Sequence, residues 1–242
     1  MADTVADTAG DSVAVVVGVG PGLGSALVRR AAGDGMTVVA AARQATKLEA
    51  LQSGPEVERV VPHDCDATSP EAVDTLFRAA DELGRLDLVV FNAGAFAPGR
   101  IVDTDPAEFE RCWRVGCFAG FLVGQQAARR MVRNGQGTII FTGATASLRG
   151  SAGFANLASP KFALRAVAQS MARELGPMGV HVAHTIIDGQ IRSARYQHLI
   201  AERGPDSLLE PDAIADAYLA LHRQHRSAWT FELDLRPWVE KF

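Results

Sequence analysis

Short runs of β-branched and aliphatic residues recur along this chain, and stretches with apolar residues every three or four positions separate them. Runs of the first kind, too short for helices and bounded by Gly, Pro or Asn, predict buried strands at 13–18 (VAVVVG), 37–42, 57–62, 86–92, 137–143, 180–188 and 229–235. The amphipathic stretches predict helices over 22–33, 45–53, 69–84, 105–135, 152–176 and 211–224. Two start signals are explicit: Ser69 as N-cap with Pro70 at the first helical position, and the pair Asp105–Pro106. Strand and helix alternate from end to end, and the strands are almost continuously apolar, as strands covered on both faces must be. The pattern predicts an α/β fold: a doubly wound sheet of roughly seven parallel strands in a three-layer α/β/α sandwich. Residues 1–11 read as a polar, disordered arm, and 12–242 as one domain without internal repeat.

Composition narrows the classes. The chain has 242 residues, 48% hydrophobic and 21% charged, with a net charge of −4. Nothing basic enough for nucleic acid and no long basic run for a membrane surface is present. No apolar run approaches the roughly 18 residues of a membrane helix. MADTVADTAGD lacks the basic and apolar regions of a signal peptide. Cys65, Cys112 and Cys117 form no metal-binding spacing and read as free thiols in a reducing cytoplasm. His222 and His225 lie three apart without a third ligand, so no metal site is expected. Lysine is scarce: Lys47, Lys161 and Lys241 stand against 21 arginines.

After the first strand comes GVGPGLG, with Gly18, Gly22 and Gly24 spaced G-x-x-x-G-x-G and Leu23 between the last two. Glycines at a strand-to-helix turn let a pyrophosphate approach the backbone and meet the helix N-terminus. Four further segments follow in order: CDATSPEAV, FNAG, GTIIFTGATASLRGSAGFANLASPKF and VHVAHTIIDG. Together these five resemble the motifs of the short-chain dehydrogenases/reductases, over nearly the whole of 13–242. The resemblance implies a Rossmann-type fold and a nicotinamide dinucleotide cofactor, with Asp66 at the adenine and Asn92 and Gly94 beside the cofactor. The second strand ends in Ala42–Arg43, with a guanidinium and no carboxylate, which favours the 2′-phosphate of NADP over the ribose hydroxyls of NAD.

The family's catalytic set is Asn, Ser, Tyr and Lys. With Lys161 as anchor, the tyrosine four residues earlier falls on Leu157, the serine on Ala144 and the asparagine on Gly116. A tyrosine seven residues before the lysine, as in enoyl reductases of the same superfamily, falls on Phe154. The expected enzyme is therefore an atypical NAD(P)-dependent oxidoreductase acting on a small organic molecule. Its catalytic candidates are Lys161, Tyr196 in the segment resembling the substrate loop, and Thr145 beside the lost serine. Thr142 and His184 are further sources of a proton, and Tyr218 reads as packing. The alternative is a catalytically inactive NADP-binding homologue serving as sensor or partner subunit. The substrate pocket is expected around Ala144, Thr145, Leu157, Gly189, Ile191 and the loop to Leu209, with Arg192 and Arg195 able to meet an acid. The two long helices resemble those through which the family forms homodimers and homotetramers, and the tail bearing Trp238 and Phe242 suggests a further subunit contact.

Overall fold

The structure is a computed structural model that describes residues 12–45 and 57–240. The expected arm (1–11), the helix at 45–53 beyond Ala45, and Phe242 lie outside the described residues. Seven parallel strands form one sheet: β1 (Ser12–Val17), β2 (Thr37–Ala42), β3 (Val60–Asp64), β4 (Arg85–Phe91), β5 (Gly137–Thr142), β6 (Val180–Ile187) and β7 (Glu232–Leu235). Their order is β3-β2-β1-β4-β5-β6-β7. The helices are α1 (Leu23–Gly33), α2 (Pro70–Asp81), α3 (Pro106–Trp113), α4 (Ala119–Asn134), α5 (Ala155–Leu175), α6 (His198–Arg203) and α7 (Pro211–His222).

The period of two along β1 divides the core. Val13, Val15 and Val17 face a layer built from α2, α4 and α5, with Leu76, Val123 and Leu164 among its members. Ala14 and Val16 face α1 and α7, against Leu27, Ile214 and Tyr218. Burial on both faces explains why the strands are uninterrupted apolar runs. Ser69 caps α2 through its hydroxyl, which accepts from Ala72 N at 3.2 Å, and the Asp105 carboxylate accepts from Ala107 N at 3.0 Å at the start of α3. No helix among the described residues is long and apolar enough to cross a membrane.

Four expected boundaries move. The segment 57–62 is a 3-10 turn, Val57–Arg59, followed by β3, which runs through Pro62 to Asp64. Proline is tolerated there because β3 is an edge strand and needs no ladder donor on its outer side. The helix over 105–135 contains a π turn, Arg114–Phe118, between α3 and α4. The helix expected from 152 begins at Ala155, after a turn closed by Phe154 N donating to Ser151 O at 3.0 Å. The last strand is only Glu232–Leu235. Trp229 turns away to stack on His181 at 5.0 Å and donates its indole N–H to Gln224 O at 3.2 Å.

Candidate cofactor and active site

A cavity of about 970 Å³ opens at the carboxyl ends of β1, β2 and β4. This is where the strand order reverses, between β1 and β4. Its lining includes Gly18, Arg43, Asp66, Asn92 and Gly94 from the sequence-based set. Gly22, Leu23, Gly24, Lys161, Thr145 and Tyr196 are not part of that lining.

The glycines do different work. Gly18 has φ +91°, and a Cβ there would lie 2.4 Å from Ala93 N and 2.6 Å from Ala93 Cα. The turn is fastened by Gly18 N and Val19 N to Ala41 O (2.9 and 3.1 Å) and by Asn92 Nδ2 to Gly18 O (3.1 Å). Asn92 thus ties the end of β4 to the end of β1. A Cβ on Gly24 would lie 2.6 Å from Val19 Cα, so that glycine lets α1 sit against its own entry turn. Gly20 and Gly22 face open space, with nothing within 4 Å. Gly22 is the N-cap of α1, without a side-chain cap and without an acid in the first turn. Its backbone N–H groups and the positive end of the helix dipole are available to an anion.

Across the cavity, Asp66 Oδ1 accepts from Thr68 N (2.9 Å) and Thr68 Oγ1 (2.7 Å). These bonds hold the carboxyl below its ordinary range, with help from the charges of Arg43 and Arg114. Arg114 and Val115 also line the cavity. The sequence reading missed Arg114, and only its position two residues before Gly116 offered a hint.

Lys161 lies behind Gly94, whose Cβ would be 4.0 Å from Nζ. It is 6% exposed, and Nζ donates to Thr142 O at 2.6 Å. Burial pushes its pKa down from 10.5 to about 8. Leu157 is half-buried beside it on α5, while Phe154 is exposed and stacks on Phe96 with centroids 4.9 Å apart. Leu157 therefore keeps an apolar surface beside Lys161, while Phe154 pins the 93–105 loop. Asn156 Nδ2 to Ala97 O (3.0 Å) and Gly99 N to Gly153 O (3.1 Å) complete that fastening.

Gly116, onto which the resemblance places the asparagine, has no room for a side chain. A Cβ on Gly116 would lie 2.8 Å from Pro160 Cβ, the residue before Lys161. The prolyl ring fills that space.

The remaining hydroxyls are mostly committed. Thr142 Oγ1 bonds the Tyr218 hydroxyl at 2.9 Å, and Thr185 Oγ1 bonds it from the other side. Tyr218 is fully buried with its pKa pushed up to about 12, so it is packing and Thr142 is its partner rather than a free proton source. Thr145 donates to Asp188 Oδ1, whose other oxygen lies 3.4 Å from Arg236. Tyr196 lies in the 3-10 turn Ala194–Tyr196, its ring under the Arg195 guanidinium at 5.3 Å. Cys65, Cys112 and Cys117 are buried free thiols. His222 bonds Thr138 and His225 bonds Ser227, and no metal-binding cluster exists among the described residues.

His184, a further proton source on the sequence reading, is buried inside β6. Its Nδ1 meets Glu232 at 3.1 Å, and Arg165 grips the same carboxylate through two bonds of 2.6 and 2.8 Å. Burial pulls its pKa from 6.5 to about 4, so the ring is neutral in the fold. Between those values the unfolded chain binds a proton that the folded chain does not, so stability falls as pH falls through this window. From pH 6.5 to 5, His184 alone is expected to remove about 2 kcal/mol, at ~1.36 kcal/mol per pH unit. Urea unfolding at pH 7.5 and 5 measures this, and equal stabilities at the two would refute it.

A parallel sheet whose order reverses between β1 and β4, with a glycine turn and a cavity at that point, defines a dinucleotide-binding α/β protein of the Rossmann type. The family comparison makes the class specific. Residues 12–202 match the short chain dehydrogenase model, and the chain belongs to that family of NAD(P)-dependent oxidoreductases of small molecules. It is 30% identical over 207 residues to a short-chain dehydrogenase/reductase of Armillaria gallica, covering 83% of this chain and 79% of that one. A crystal structure of a short-chain dehydrogenase from Rhodopseudomonas palustris is 42% identical, with a TM-score of 0.81, covering 94% of this chain and 99% of the other. The structure of ElxO with NADP bound has a TM-score of 0.84 at 16% identity, covering 94% and 98%.

Proposed function

We propose that the chain is an atypical NADP-preferring oxidoreductase in which Lys161 replaces the missing tyrosine as proton donor. The observation that carries this reading is the buried ammonium: its pKa of about 8 lies near working pH, where a general acid is most effective. The residues present fit a dinucleotide. Gly20 and Gly22 leave open space before an uncapped helix, and a cavity of about 970 Å³ opens beside Gly18 and Val19 at the start of the same turn. Gly18, Gly22, Leu23 and Gly24 would hold the pyrophosphate, Arg43 the 2′-phosphate, Asp66 the adenine, and Asn92, Gly94 and Lys161 the nicotinamide ribose. The bound nicotinamide supplies or accepts the hydride. Lys161 keeps one N–H on Thr142 O and has two others to offer the ribose and the substrate oxygen. Thr145 and Tyr196 are secondary candidates for orienting the substrate. The exposed Trp113, Phe121 and Phe162 on α3, α4 and α5 support a homodimer or homotetramer, and the free thiols a cytoplasmic protein.

A second reading is an NADP-binding homologue without turnover, a sensor or partner subunit. The Gly116–Pro160 contact favours it, because it closes the place where the family orders a water. Titration with NADPH and NADH, followed by nicotinamide fluorescence, tests the shared part. NADPH is expected to bind at least tenfold tighter than NADH, and Arg43→Ala to erase that preference by weakening NADPH alone, since a charged hydrogen bond contributes about 1.5 to 3 kcal/mol. Equal binding of both nucleotides would refute the NADP preference. Turnover in a carbonyl and alcohol screen, lost in Lys161→Met, separates the enzyme from the sensor.

A further inference from the structure

We infer that a second cavity, at the amino edge of the sheet, is a binding site for a flat aromatic monoanion, an aryl carboxylate, with Arg226 as its anion-binding group and Trp229 as its stacking wall. This site does not depend on the cofactor reading proposed above. The cavity holds about 590 Å³, within the usual range of small-molecule sites. Ser12, Arg85 and Gly137, the first residues of β1, β4 and β5, line it. It therefore lies at the opposite end of the sheet from the cofactor cavity, roughly 20 Å away along six-residue strands. The loop that leaves α7 forms one rim, and it is stapled to itself and to the fold. His222 bonds Thr138 at 3.0 Å, Arg223 grips Asp34, and His225 bonds Ser227 at 2.8 Å. Gln224 donates to Thr230 Oγ1 at 2.9 Å and accepts from Thr230 N at 2.8 Å. Arg226 is the exception: it lines the cavity, and among the described residues its guanidinium has no hydrogen bond or ion pair.

The remaining charges of the lining are paired. Asp34 and Asp87 are its carboxylates, and each is held by an arginine, Asp87 by Arg85 through bonds of 2.7 and 2.9 Å. Burial keeps the His222 pKa below its ordinary range, so that ring adds no charge at neutral pH. One guanidinium is left without a counter-charge. Asp34 and Arg223 are also the C-caps of α1 and α7, so the negative ends of two helix dipoles point here and oppose a second negative charge on a ligand. That selects a monoanion. The flat wall is Trp229. Its indole stacks on His181 with centroids 5.0 Å apart and 1° between the planes, and its N–H is fixed on Gln224 O. One face and the N–H are spent inside the protein, and the ring still lines the cavity. A rigid aromatic face beside a free guanidinium fits an aromatic ring that carries a carboxylate, because the planar fork matches the two carboxylate oxygens.

The test is calorimetric titration of the full chain with benzoate and with benzamide, which keeps the ring and lacks the charge. Benzoate is expected to bind more tightly. Arg226→Ala is expected to weaken benzoate by about tenfold or more, as loss of a charge-assisted hydrogen bond predicts, and to leave benzamide unchanged. Arg226→Lys keeps the charge without the fork and should recover part of the loss. Trp229→Leu should weaken both ligands. Saturating NADPH should leave the benzoate affinity as it is, because the two cavities lie at opposite ends of the sheet. Benzoate binding that Arg226→Ala does not alter, or that NADPH displaces, would overturn the inference, as would equal affinities for benzoate and benzamide. A Kd for benzoate above about 10 mM overturns it as well. Arg226 is exposed and unpaired, so if Trp229→Leu melts lower than wild type, the arginine variants still decide.

Discussion

Gly18→Ala is expected to destabilise the apoprotein by about 2 to 5 kcal/mol, combining a left-handed backbone cost of about 1 to 2 with overpacking of about 1 to 3. The new methyl group would lie 2.4 Å from Ala93 N and 2.8 Å from the Asn92 carbonyl carbon, both backbone atoms that cannot swing aside. Because Asn92 N donates to Val17 O and Asn92 Nδ2 to Gly18 O, the methyl would push β1 and β4 apart where the cavity opens. Gly22→Ala is the control. Its Cβ meets nothing within 4 Å, so the apoprotein should keep its stability within about 1 kcal/mol. Nucleotide binding should still weaken, because the methyl group projects into the space left for the pyrophosphate. Thermal melts with and without NADPH separate the two effects. Equal melting temperatures for the two apo variants would show that the glycines are not divided into structural and ligand-facing ones.

Lys161→Met should change stability and binding in opposite directions. The folded pKa of Lys161, about 8, lies below its unfolded value of 10.5. Between pH 10.5 and 8 the unfolded chain holds a proton that the folded chain releases, so folding is penalised as pH falls, and the penalty is complete below about pH 8. It amounts to about 3 kcal/mol, at ~1.36 per pH unit. Methionine removes that penalty and loses the hydrogen bond to Thr142 O, which contributes about 1 kcal/mol. The apo variant should be about 2 kcal/mol more stable than wild type at pH 7, and the advantage should vanish by pH 10.5. NADPH binding should fall by about 10- to 100-fold, the equivalent of a charge-assisted hydrogen bond. An apo variant less stable than wild type at pH 7 would mean that the lysine is structural. A residue that costs the empty protein stability and serves only when a ligand arrives is the expected signature of a functional site.

Much of this architecture was legible in the chain, and the reasons differ from element to element. The five inner strands could be read because both faces of each are buried, which leaves a contiguous apolar run, whereas the edge strands β3 and β7 are only partly covered. Pro62 misled: a proline ends a central strand, but β3 is at the edge, and sheet position is not visible along a sequence. Trp229 misled as a strand former, since its stacking partner, His181, is 48 residues away. Gly18, Arg43 and Asp66 could be placed beside the cavity from the sequence because each follows a strand end by one or two residues. Arg114 could not, because it enters the cavity through a π turn that leaves no mark on hydrophobic periodicity. Thr145 looked free, and only the folded chain shows its hydroxyl committed to Asp188.

The contact between Gly116 and Pro160 also bears on the engineering of this protein. Leu157→Tyr and Ala144→Ser would add two hydroxyls at the positions where the resemblance places them. The asparagine could not follow, because the prolyl ring occupies the volume its side chain would enter. Pro160 would have to change first, and its replacement would open a void over Gly116 until the second change arrived. At this pair each single substitution carries a cost, a clash if 116 changes first and a void if 160 does. A side chain at 116 and the ring at 160 therefore compete for one volume, and the two positions can only be redesigned together.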